Sequence, residues 1–257
     1  MPKARIKAGF FIMKKNFLWF FDLDNTLHNT SRNIFPFIKE NMNAFVAKVL
    51  EKEGKNADAE SVNALRIKYW STYGATLFGL IKHHQVSMND FLEETHRFDN
   101  LSDLIHAERG LRHFFRKLPG RKILLTNAPH NYAKKVIKNL RLENHFERQI
   151  AIESMRVGRH IYPKPSKKLF RHLAAKYRVS PRKTVLVEDT NKTLKAVKSL
   201  AWRTVWVTGY LSQSMTLGSG VANFAYVSSQ HLPKYADIKV RSVRHLQRNL
   251  HKLGKLR

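Results

Sequence analysis

Hydrophobic positions fall into two recurring patterns along this chain. Four short runs are apolar, β-branched or aromatic at consecutive positions and stop at polar residues: FLWFFDLD (17–24), RKILLTN (121–127), KTVLVED (183–189) and RTVWVTG (203–209). Continuous runs of that length, bounded by charged or turn-forming residues, predict strands buried on both faces. The stretches between the later runs, NYAKKVIKNLRL, PSKKLFRHLAAKYRV and TNKTLKAVKSL, space their apolar residues as helices do. Strand and helix in alternation predict an α/β fold, a Rossmann-like, doubly wound, mostly parallel sheet.

The region from residue 29 to residue 108 breaks the alternation. IFPFIKENMNAFVAKVLEKEG places Phe37, Met42, Phe45, Val46 and Val49 at helical spacing and ends at Gly54, and DAESVNALRIKYWSTYGATLFGLIKHH opens on an acidic turn suited to a helix start. The organisation expected is a catalytic core formed by 13–28 and 109–257, with 29–108 inserted as a helical cap. QSMTLGSG, near residues 213–220, reads as a flexible loop before a final strand and helix.

Composition changes this picture in two ways. The 257 residues include no cysteine, which removes disulfides and thiolate metal sites. Lys and Arg number 47 against 19 Asp and Glu, a net charge of +28. Such a field attracts anions, so nucleic acid enters as a partner to be weighed against a generally basic surface. The last stretch, DIKVRSVRHLQRNLHKLGKLR, carries Val243, Leu246, Leu250 and Leu253 amid Arg241, Arg244, Arg248 and Lys252. It reads as a helix packed on the core, or as a basic amphipathic helix docking on nucleic acid or a membrane surface. No apolar run approaches the roughly 20 residues of a membrane span. The apolar stretch near the start is broken by Lys14, Lys15 and Asn16 and lacks a small-residue cleavage site, so a cytoplasmic location is expected. Met13 offers an alternative start that would leave residues 1–12 a dispensable arm.

The chemistry is concentrated where strands run out. Asp22 and Asp24 are two residues apart, so on an extended strand they face the same way, and burying two carboxylates together is costly unless a cation lies between them. A hard divalent cation such as Mg²⁺ would resolve the repulsion, and Glu188 and Asp189, ending another strand, are placed to close its shell. Thr126 and Asn127 offer a hydroxyl and an amide to an oxyanion. Lys164, between Pro163 and Pro165 and just before a helix capped by Ser166, suits phosphate binding. Asn25 and His28 follow the carboxylates and are expected to shape the entry to the cap as substrate-binding candidates, although Asn also suits a turn. Tyr69, Trp70, Tyr73 and Phe78 suit either core packing or stacking on a nucleobase, and His83 and His84 suit a helix end or a substrate contact.

DLDNTL, LLTNAP, KPS and VLVEDT together resemble the four motifs of the haloacid dehalogenase superfamily of phosphohydrolases. LRIKYWSTYGATLFGL with the following HH further resembles the pyrimidine 5′-nucleotidase branch, and the likeness spans about residues 17 to 208. The resemblance implies Asp22 as nucleophile, forming an aspartyl-phosphate, and Asp24 as general acid and then base. It implies Mg²⁺ on the Asp22 carboxylate, the Asp24 backbone carbonyl and Asp189, with Glu188 assisting. Thr126, Asn127 and Lys164 would bind the transferring phosphoryl group. A halide leaves without a proton and has little use for Asp24, so phosphate-ester hydrolysis is expected over dehalogenation. The substrate implied is a small phosphomonoester, namely a nucleoside 5′-monophosphate. A sugar phosphate, or a basic nucleic-acid-binding role on the same scaffold, are the competing readings.

Overall fold

The computed structural model describes residues 17–211 and 232–255. The alternative start at Met13 and the loop expected near 213–220 lie outside the described residues.

Six parallel strands form the central sheet: β1 (Leu18–Phe21), β2 (Arg121–Leu125), β3 (Arg148–Ile150), β6 (Thr184–Glu188), β7 (Arg203–Val207) and β8 (Ile238–Val240), in the order β3-β2-β1-β6-β7-β8. A separate antiparallel pair, β4 (Arg156–Val157) and β5 (His160–Ile161), precedes the segment carrying Lys164. β1 lies between β2 and β6 and is buried throughout. Its side chains alternate between two cores. Trp19 and Phe21 join a cluster with α6 (Leu111–Lys117), α7 (His130–Asn139) and α10 (Leu246–Lys255), whereas Leu18 and Phe20 join α8 (Lys167–Tyr177) and α9 (Asn191–Lys198). Helices thus cover both faces, the doubly wound α/β arrangement the alternation predicts.

Five helices stand between β1 and α6: α1 (Thr30–Lys52), α2 (Ala59–Tyr73), α3 (Thr76–His84), α4 (Met88–Thr95) and α5 (Leu101–Leu104). The insert has its own core, built around Phe45, Val46, Leu50, Val62, Tyr69, Leu80 and Phe91. α1 packs on α4, and α2 on α3. α1 begins at Thr30, earlier than the apolar spacing alone suggests, because Asn25 Oδ1 accepts the Thr30 and Ser31 amides and Asn29 caps Arg32. Phe37, expected on the apolar face, is 45% exposed. The stretch 58–84, read as one helical segment, is two helices. Gly74 adopts φ +80°, a left-handed conformation that ends α2 and turns the chain back. The close return is possible because Gly79 has no side chain: a Cβ there would lie 2.1 Å from Tyr69 Cγ.

Val243, Leu246, Leu250 and Leu253 are buried against the sheet's helical layer, so the last helix packs on the core and turns its basic residues outward. No helix among the described residues is long and apolar enough to cross a membrane.

Candidate active site

Parallel strands end at one edge, and three of the central ones end in polar residues there. β1 leads into Asp22, whose amide continues the ladder by donating to Val187 O at 3.0 Å. Neighbouring β6 delivers Glu188 and Asp189, and β2 delivers Thr126 and Asn127. Lys164 reaches the same edge from the segment before α8. Its ammonium donates to Asp22 Oδ1 at 2.6 Å and to Glu188 Oε2 at 2.7 Å, with all three side chains buried.

One lysine does not neutralise this set. Burial foremost, then the Glu188 and Asp24 charges, push Asp22 up to about 7 despite Lys164. Burial and Glu188 likewise raise Asp189 well above the ordinary carboxylate range. Glu188 goes the other way: burial would raise it, but Lys164, Asp189 and the Thr190 amide together hold it low. Burial alone would lower Lys164, and the Asp22 and Glu188 carboxylates outweigh it, so the ammonium keeps its proton. Asp22, Glu188 and Asp189 each present an oxygen within 4.8 Å of the others. A buried, all-oxygen set with excess negative charge fits a hard divalent cation. Within the set, Glu188 is already engaged at both oxygens, by Lys164 and by the Thr190 amide at 3.1 Å. Asp189 accepts the Thr190 hydroxyl at Oδ1.

Asp24 sits at the mouth of this cluster, its side chain 18% exposed. Three groups converge on its Oδ1: Thr30 Oγ1 at 2.8 Å, Tyr132 OH at 2.8 Å and His28 Nε2 at 3.1 Å. Burial raises its carboxyl, but the bonds from His28, Tyr132 and Thr30 win and hold it below the ordinary range. Among the described residues His28 Nδ1 has no hydrogen-bond partner, and its Nε2 faces Asp24.

The structure brings Asp22, Asp24, Thr126, Lys164, Glu188 and Asp189 to this edge. Thr126 is buried, and its hydroxyl accepts the Ala128 amide at 3.0 Å. The Asn127 side chain is bound at both ends to the Lys164 backbone, donating to its carbonyl at 2.9 Å and accepting its amide at 3.0 Å. It therefore fixes the lysine's segment, leaving its amide little freedom toward an oxyanion. Asn25 is similarly engaged: buried at φ 56°, it accepts the first amides of α1 and donates to Ser31 Oγ at 2.7 Å. His28 is fully buried behind Asp24. Tyr69 and Tyr73 belong to a polar knot within the insert, Tyr69 OH with His84 Nε2 at 2.7 Å and Tyr73 OH with His83 Nε2 at 2.6 Å. Both histidines close α3, the helix-end position their spacing suggests.

Sequence reading did not single out Tyr132. It lies in the first turn of α7, 108 residues from Asp24, and a tyrosine in a helix carries no local mark of such a bond. Its ring also borders a cavity of about 460 Å³ between α4 and α7, with Leu92, His96, Arg97, Phe98 and Lys135 in the wall.

Comparison with known proteins follows the geometry. The family model of haloacid dehalogenase-like hydrolases matches residues 18–200. A phosphatase of that class from Thermococcus onnurineus superposes with a TM-score of 0.59 at 17% identity, over 93% of this chain and 98% of that one. L-2-haloacid dehalogenase from Xanthobacter autotrophicus, with chloropropionic acid covalently bound, superposes at 0.52 and 14% identity, over 91% and 98%. These likenesses show the fold. Phosphate metabolism protein 8 of Saccharomyces cerevisiae is 26% identical over 140 residues, 51% of this chain; the chain spans 41% of that relative's length.

Proposed function

This chain belongs to the haloacid dehalogenase-like hydrolases, and from that premise we propose that it is a divalent-metal-dependent phosphomonoesterase acting on nucleoside 5′-monophosphates, pyrimidine ones above all. The observation that carries the reaction is Lys164 held between Asp22 and Glu188. A buried carboxylate with an ammonium 2.6 Å away and a second carboxylate two residues on is equipped to attack an anionic phosphorus centre.

Asp22 attacks phosphorus in line, forming an O–P bond as the ester P–O bond breaks. Asp24, which must first take up a proton against the bonds that hold its carboxyl low, gives that proton to the departing oxygen. The resulting carboxylate then takes a proton from water as that water attacks the aspartyl-phosphate, which frees Asp22 and restores Asp24. Lys164 and the Thr126 segment stabilise the equatorial oxygens, and Asn127 keeps the lysine in place through its backbone. Mg²⁺ would be held by Asp22, Asp189 and the Asp24 carbonyl, and when bound supplies charge neutralisation at the phosphoryl group. Glu188, with both oxygens engaged, orients Lys164.

The substrate class is supported by the resemblance of LRIKYWSTYGATLFGL and its HH to pyrimidine 5′-nucleotidases. The strongly basic surface would favour capture of a dianion, an effect that salt suppresses. Phosphate release from a panel of nucleotides and sugar phosphates with Mg²⁺ tests the reading, with EDTA and Asp22→Asn as controls. Selective release from UMP and CMP, abolished by both controls, is expected. Turnover of sugar phosphates alone would keep the mechanism and replace the substrate. No release from folded protein would overturn both and favour nucleic-acid binding.

A further inference from the structure

Asp24 must do two things in the reaction just proposed: present a proton to the leaving oxygen, then recover one from water. Both require the same carboxylate oxygen to face the substrate in each step. The three bonds on Asp24 all fall on Oδ1. Among the described residues no donor is recorded on Oδ2, and the side chain keeps part of its surface open. Oδ1 is thus the anchored oxygen and Oδ2 the reactive one. Two of the anchors, His28 and Thr30, lie within six residues of Asp24 and move with its turn. The third, Tyr132, comes from α7. Its phenol is buried and its acidity is suppressed, mainly by burial and then by Asp24, so the hydroxyl remains a donor.

The Tyr132 ring is held by the insert. His96 packs on it with a centroid distance of 5.4 Å and Phe98 at 5.9 Å, both following α4. His96 is itself fixed, its Nδ1 bonded to Leu92 O at 3.2 Å and to the Thr95 hydroxyl at 3.0 Å. One residue therefore touches the acid's anchored oxygen with its hydroxyl and the insert with its ring.

We propose that Tyr132 is a positioning residue for Asp24: its phenol fixes Oδ1 so that protons are exchanged through Oδ2, and the packing of His96 and Phe98 on its ring makes that hold depend on how the insert is seated. The inference rests on the phosphatase reading above. It predicts a loss graded by the leaving group, because an alkoxide must be protonated as it departs whereas p-nitrophenolate leaves unaided.

The experiment compares Tyr132→Phe with wild type on an alkyl phosphate and on p-nitrophenyl phosphate, with a thermal melt of each protein. Tyr132→Phe is expected to lower kcat about tenfold on the alkyl ester and no more than about twofold on the nitrophenyl ester, with KM unchanged on both. Phe98→Leu keeps the phenol and thins the packing on its ring. It is expected to give a smaller loss with the same bias, which provides a reading should Tyr132→Phe fold poorly. Equal losses on the two esters, or no loss on either, in whichever variant is folded would overturn the inference. Wild type inert on both esters would instead overturn the phosphatase reading.

Discussion

Two clusters of polar side chains, one buried at the sheet edge and one largely at the surface of the helical insert, are built on opposite principles. In the insert, each tyrosine hydroxyl meets a histidine nitrogen, and His84 in turn meets Glu53 at 2.7 Å, itself bonded to Lys55. The groups close on one another and leave little charge unanswered. At the sheet edge, Lys164 pairs with Asp22 and Glu188 while Asp24 and Asp189 stand nearby, so four carboxyl groups face one ammonium and are not balanced by it. The first cluster is finished by folding. The second is finished only by something the fold does not contain, which is the mark of a site and not of a core.

If that contrast holds, disturbing the edge should change chemistry and ligand response, and disturbing the knot should change stability alone. The largest effect is expected from Asp22→Asn, which removes the proposed nucleophile. Phosphate release should fall by at least about 10³-fold with the melting curve intact, and a smaller loss would break the comparison at its strongest point. Next is metal. Mg²⁺ at 100 times its Kd should stabilise the protein by about 2.7 kcal/mol in thermal unfolding. EDTA should reverse the gain and Asp189→Asn abolish it; an unchanged gain in that variant would remove Asp189 from the ligand set.

In the insert, Gly79→Ala places a Cβ against the Tyr69 ring and should destabilise by roughly 1–3 kcal/mol. Turnover below the melting transition should survive. Tyr69→Phe deletes only the bond to His84 and should cost about 1 kcal/mol, again without effect on turnover. A kcat defect in either variant would tie the knot to catalysis. The smallest effect lies between the regions, at His96. Burial above all lowers it from 6.5 to about 4, partly opposed by the Asp24 charge. A histidine depressed in the folded state contributes fully above the unfolded value, and stability is lost as pH falls through 6.5 toward 4. Between pH 7 and pH 6 that amounts to roughly 0.7 kcal/mol, and His96→Gln should flatten the slope by this amount.

What the sequence disclosed follows the same division. Asp22, Asp24, Lys164, Glu188 and Asp189 each stand next to an abrupt change of pattern, a strand ending or a helix beginning, so their convergence could be anticipated from the alternation of elements. Asn127 stands at such a point too, yet residue type alone does not reveal that both ends of its amide turn to the Lys164 backbone. Tyr69 and Tyr73 lie at helical spacing, which defines a face without naming what it faces. The break at Gly74 was written in the chain as a glycine, but glycine inside a helical pattern is often tolerated, and the return of α3 on α2 depends on the contact at Gly79. Tyr132 was invisible because its partner is 108 residues away.

The strand order has a consequence for the chain's synthesis. β1 sits in the middle of the sheet, and its neighbours are distant: Leu18 pairs with Arg121 on one side and Thr184 on the other. Leu-Trp-Phe-Phe has no complete bed until β6 follows. At ordinary translation rates that interval is on the order of ten seconds, and pairings of such long sequence separation form slowly even afterwards. A wholly apolar strand, buried throughout in the finished fold, is thus also the one left longest unpaired among the described strands, and it is the segment a holding chaperone would have to shield while the rest of the sheet is being made.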